Sequence, residues 1–166
     1  MEDMTNTFAT VEDVKKETGI SNATSPELIA PFINTAEIFW LKDTLGQTLW
    51  TELKAAISGD TLSGDNYTLV YNYIIPASVW YSYYEASVFI MFRGEAKGFT
   101  KKYSDNSQAL EKKEFEMLRQ SILDNAQTWR NRMIDYLEDN STLYPSWRSN
   151  NQCGGSTKRY SGGIFL

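Results

Sequence analysis

The chain has 166 residues, enough for one domain with a substantial core, and an ordinary globular composition apart from a 14 % aromatic share. Its net charge of −5 and pI near 4.8 exclude unspecific binding to the outside of nucleic acid, but not a negatively charged wall along which DNA slides. With no histidine and Cys153 as its one cysteine, it cannot form an intrachain disulfide, a Ser-His or Cys-His nucleophile or an imidazole metal site, and a reducing compartment is expected.

Residues 1–9 read as a polar N-terminal arm without the basic start and apolar core of a secretory signal. Thr10 then caps a short helix, TVEDVKKET, whose acids Glu12 and Asp13 suit its positive end and whose Lys15 and Lys16 suit the other; Gly19 closes it. After a polar loop, Ser25-Pro26-Glu27 opens the first substantial helix, with Ser25 as N-cap and Pro26 in the first turn. Leu28, Ile29, Phe32, Ile33, Ala36, Phe39 and Trp40 fall at spacings of three and four, which predicts one apolar face. Pro31 is expected to bend the entry. Gly46 marks a joint, and the pattern resumes with Leu49, Trp50, Leu53 and Ile57; Ser58 to Asp65 is a surface loop.

Tyr67 to Phe92 is apolar on nearly every helical face and predicts a central column surrounded by other elements. Its length raises the alternative of a membrane span, which needs roughly 20 mostly apolar residues. Asn72, Pro76 and Glu85 lie inside it, however, and its tyrosines are spread along its length rather than gathered at two interfaces. A buried core helix with a break or kink at Pro76 is the reading adopted, with no membrane as partner.

The connector EAKGFTKKYSD carries Lys97, Lys101 and Lys102, which read either as a contact to DNA phosphates or an acidic partner, or as a solvated loop beside a helix end. From Ser107 to Asp139, Phe115, Leu118, Ile122, Ala126, Trp129, Met133 and Tyr136/Leu137 form a narrow apolar stripe on a helix on the order of 50 Å long. That is longer than a compact domain of this size needs. Residues 141–166 contain two Gly-Gly pairs yet end in Ile164, Phe165 and Leu166. They read as an arm that docks on another subunit by hydrophobic anchoring or strand addition, or that folds back on its own domain.

No catalytic motif is visible: there is no Gly-rich phosphate loop and no CxxC pair. Glu111, Glu114, Asp135, Glu138 and Asp139 read as a solvated charged face. Glu85 is the one acid in an apolar setting, either satisfied by a Tyr or Arg partner or, in the rival reading of a small helical ligand-binding protein or enzyme, lining a Glu/Tyr pocket. No catalytic residue, metal or cofactor is expected.

The phrase SPELIAPFINTAEIFWLKDTLGQTLWTELKAAI, followed by a long apolar helix, a charged-striped helix and an extended arm, resembles the helical head–tail connector (adaptor) proteins of tailed bacteriophages, crAss-like phages above all. The likeness covers about residues 10 to 140 and rests on the Ser25-Pro26-Glu27 start, the Ala36-Glu37 step, the Leu41–Leu45 run closed by Gly46 and the Leu49/Leu53 helix. It implies a fold that is all-α, a helical bundle around the central apolar helix, with a connector domain over 10–140 and an arm over 141–166. It further implies a structural virion protein at the neck, assembled in the host cytoplasm as a homo-oligomeric ring of about twelve subunits. Such a ring joins the portal to further neck or tail rings and passes packaged DNA without sequence specificity. Trp129, Trp147, Tyr160, Ile164, Phe165 and Leu166 are the interface residues expected on this reading. The longer Ser58–Asp65 loop and the Gly-rich tail depart from the compact connectors.

Overall fold

A computed structural model of the chain describes residues 6–95, 98–101 and 112–147. The fold is an all-α bundle around the predicted column. Helix α1 (Val11–Thr18) begins where Thr10 and Asp13 satisfy each other in a capping box and ends at Gly19, whose φ of 70° needs a residue without a Cβ. Ser25-Pro26 opens only a 3₁₀ turn, Pro26–Leu28, and the Ser25 side chain makes no capping bond. Helix α2 (Ala30–Ala36) starts after it, so Pro31 lies in a first turn, where its missing N–H has no partner to lose, instead of bending a helix already under way.

A π turn, Glu37–Leu41, then carries the chain into α3 (Lys42–Leu45), with the Lys42 N–H donating back to the Glu37 carbonyl. The extra residue in this wide turn shifts the helical register, and the predicted stripe fails at that point. Phe39, expected on the apolar face, is 68 % exposed, while Glu37 is completely buried. Gly46 (φ 75°, ψ 153°), in a region open essentially to glycine alone, makes the expected joint to α4 (Gln47–Ser58).

The column consists of α5 (Gly64–Leu69), a second π turn (Val70–Ile74) and α6 (Ile75–Met91). Proline leaves the preceding turn without a donor and crowds it. Here the widened turn, with the Ile75 N–H bonded to the Val70 carbonyl, stands immediately ahead of Pro76. Where a connector was expected, β1 (Phe92–Glu95) and β2 (Gly98–Lys101) pair antiparallel, Phe92 opposite Lys101 and Glu95 opposite Gly98. Helix α7 (Lys112–Asp139) follows and is ~42 Å long.

Column and α7 run antiparallel: Tyr73 stacks on Tyr136 at 4.4 Å between ring centres, and the Arg119 guanidinium lies over the Tyr84 ring at 4.1 Å. Likewise α2 and its π turn descend against α6, with Phe32 stacked on Phe89 and Trp40 on Tyr81. The main core joins Leu41, Leu45, Leu53, Leu69, Ile74, Met133 and Leu137, and a smaller one gathers Val14, Ile29, Ile33 and Val79 under α1. Among the described residues, no helix is long and apolar enough to cross a membrane.

Both domain edges move outward from the expected 10–140. Phe8 and Ala9, assigned to an N-terminal arm, are buried, and Phe8 meets Trp50 edge-on at 5.2 Å. At the other end the packed unit continues to Trp147. Tyr144 and Trp147 are both core residues, because a turn after α7 folds them back between α4 and the start of α5.

Candidate functional site

Among the described residues, the buried Glu37 carboxylate gathers four donors, and sequence reasoning passed over it in favour of Glu85. Its Oε1 accepts the Phe8 N–H (2.7 Å), the Ala9 N–H (3.1 Å) and the Ser78 hydroxyl (2.8 Å). Its Oε2 is held by the Lys54 ammonium at 2.7 Å. Lys54 also donates to the Asn6 carbonyl and lies over the rings of Phe8 (3.9 Å) and Trp50 (4.8 Å). A carboxylate taken out of water must be both paired and hydrogen-bonded. Here that need staples the N-terminal segment, the π turn, α4 and α6 to one point. The signal in the sequence was faint: an acid in the middle of an apolar stripe, at the Ala36-Glu37 step.

Glu85 is satisfied, as expected of a partly buried acid, but its partner is the Trp40 indole N–H at 2.9 Å rather than a Tyr or Arg. A third polar link closes the C-terminal turn. Thr44 accepts from Arg130 Nε through its hydroxyl (2.8 Å) and from the Trp147 indole N–H through its carbonyl (2.9 Å). Tyr144 donates to the Asp65 carbonyl at 2.8 Å. Its phenol is held well above its ordinary pKa, first by burial and then by Tyr136 and Asp65 beside it; burial also raises Tyr83.

A cleft of about 230 Å³ opens beside Lys54, lined by Asn6, Asn34, Ile38, Gln47, Trp50 and Thr51. It lies away from Glu85. Among the described residues, no group of His, Cys, Asp and Glu could hold a metal ion.

Several large apolar side chains of the described residues stand exposed. Tyr67 and Tyr71, one turn apart on the column, stack on each other at 4.2 Å and are about half exposed (50 % and 49 %). Leu143, near the same end, is exposed too. At the opposite end of the column stand Phe89 and, on the antiparallel α7, Met117 (65 % exposed) and Leu118. The predicted stripe of α7 is therefore buried only over its second half, from Ile122 through Ala126 and Met133 to Leu137.

Of the expected interface residues, Trp147 is a core residue of its own domain and is not free to anchor a neighbour. Trp129 is half-buried against the core, with the Arg132 guanidinium over its ring at 4.8 Å. Tyr160, Ile164, Phe165 and Leu166 lie outside the described residues, as do Lys97 and Lys102; Lys101 closes β2.

The chain belongs to DUF6712, a family of unknown function, whose family model matches residues 41–157. No curated protein and no solved structure matches it significantly.

Proposed function

We propose that this DUF6712 protein is a structural subunit, not an enzyme, that builds a closed homo-oligomeric ring by head-to-tail contacts. In this reading the ring, of about twelve copies, lies at the neck of a tailed phage. There it meets the portal and further neck or tail rings and lets packaged DNA pass without reading its sequence. The resemblance of residues 10 to 140 to phage connectors supports the setting. The observation that carries the assembly is the placement of exposed apolar side chains at both ends of one column. Tyr71 and Phe89 are separated by 18 residues of continuous helix, roughly 27 Å. A monomer has no use for two such patches so far apart, whereas a heterologous contact needs two different ones on every subunit.

Native mass spectrometry of the full-length chain, alone and co-expressed with its portal partner, tests the proposal. A single high-order species on the portal is the expected result. A chain that remains monomeric within the assembled particle would refute it. Gel-shift assays at physiological salt should give no sequence preference; selective capture of one DNA sequence would remove the channel role.

A further inference from the structure

We infer that the cleft beside Lys54 binds the uncharged segment Tyr160–Leu166 of a second copy of this chain, laid across it as extended backbone. This rests on the ring reading above and deepens it by naming the strap that links one subunit to the next.

The cleft offers hydrogen bonds that the domain itself leaves unused. Among the described residues, nothing accepts the indole N–H of Trp50, although Trp50 is only 8 % exposed; the Trp40 and Trp147 indoles have Glu85 and Thr44. The half-buried Asn34 carboxamide likewise has no partner there, and Gln47 uses its amide nitrogen alone, on Thr51. A carboxamide donates and accepts at once, as each peptide unit does, so this wall matches an extended main chain. It does not call for a charged ligand, because the Lys54 ammonium already holds Glu37. Ile38 adds an apolar side to the cleft, and the next residue, Phe39, is 68 % exposed.

The chain beyond Trp147 supplies the matching segment. Arg159 is its last charged residue, and Tyr160–Leu166 follows without charge. Gly162 and Gly163 carry no side chain to hold a backbone off the cleft wall, and Ile164 and Phe165 supply apolar groups for Ile38 and Phe39. Where the described chain ends decides which copy is served. Trp147 is held at Thr44, and Ser146 before it donates to Glu52 at 2.7 Å. At about 100° of turn per residue, Glu52 lies on the side of α4 opposite Trp50 and Lys54. The described chain therefore ends on one side of α4, and the cleft opens on the other. A head-to-tail contact brings one such side of a subunit to the other side of its neighbour. Residues 148–159 reach up to about 40 Å when extended, enough to bridge the two.

Two experiments on the full-length chain assembled with its portal partner test the strap. A photo-crosslinking residue at the exposed position 51, in rings built from mixed isotope-labelled and unlabelled chains, should capture a peptide from 160–166 that carries the other label. Separately, Asn34→Ala, which removes a carboxamide the domain does not use, should move half-dissociation of the rings on dilution to about fivefold higher subunit concentration. Thr51→Arg, which fills the cleft from an exposed position, should move it further. Neither side chain holds the core, so thermal melting of each variant should match the parent and separate assembly from folding. Crosslinks that stay within one chain, that reach the portal instead or that miss 160–166, or variants that assemble like the parent, would overturn the strap while leaving the ring intact. Absence of any ring from the parent would overturn the ring reading and the strap with it.

Discussion

Replacing Glu37 by alanine removes the acceptor for four donors at once: the Phe8 and Ala9 amides, the Ser78 hydroxyl and the Lys54 ammonium. Hydrogen bonds to a charged group contribute about 1.5–3 kcal/mol each, so a simple sum would reach on the order of 6–12 kcal/mol. The protein need not lose that much. The N-terminal segment can undock and return its amides to water, and Lys54 is near enough to the surface to regain solvent, so a cost of about 3–5 kcal/mol is expected. For a chain of this length that corresponds to a fall in melting temperature on the order of 10 °C. Urea denaturation gives the free energy, and hydrogen exchange at the Phe8 and Ala9 amides gives the location, since both should lose protection before the rest of the core opens. Lys54→Met alone should also destabilise strongly by leaving the carboxylate without its countercharge. Changing Glu37 and Lys54 together to methionine should recover part, but not all, of the loss, because the two amides still lack an acceptor. A Glu37→Ala protein within about 1 kcal/mol of the parent, with its Phe8 and Ala9 amides still protected, would show that the staple does not hold the N-terminal segment.

Three further outcomes can be checked on the same material. Phe39→Ser should change stability by less than about 0.5 kcal/mol, whereas Leu41→Ala should cost about 2–5 kcal/mol; the reverse order in urea melts would mean the π turn is misplaced. Tyr144 keeps its phenolic proton in the folded state above the pH, about 10, at which the unfolded chain releases its own, so its contribution is complete below that pH and declines as pH rises further. Tyr144→Phe should therefore lower stability at neutral pH by about 0.5–1.5 kcal/mol, for the lost bond to Asp65, and flatten the alkaline decline; an unchanged slope in paired urea titrations would contradict this. Trp147→Ala should cost about 3–5 kcal/mol, while deletion of 161–166 should leave the melting temperature nearly unchanged and weaken assembly on the portal. If the deletion unfolds the domain, the tail is part of the core.

What the sequence determined by itself was local chemistry and overall pattern. Thr10 and Asp13 cap α1, and Gly19 and Gly46 end their helices, because caps and left-handed turns depend on a few neighbouring residues. The column was legible from its all-round apolarity, since such a segment has nowhere to go but inside, and α7 from its stripe. Tertiary structure decided the rest. Glu37 continues the buried face of Ile29 and Ile33 at helical spacing, but Phe39 turns outward because one extra residue in the π turn rotates the register beyond it, and no spacing rule reports where a helix will widen. Lys54 and Phe8 lie 17 and 29 positions from Glu37, so no local pattern could pair them with it. Trp147 read as a loose anchor in a glycine-rich tail, yet 103 positions away the Thr44 carbonyl accepts its indole N–H, and the core closes over its ring. Burial of that kind depends on which distant surfaces meet, a property of the folded chain and not of any stretch of it.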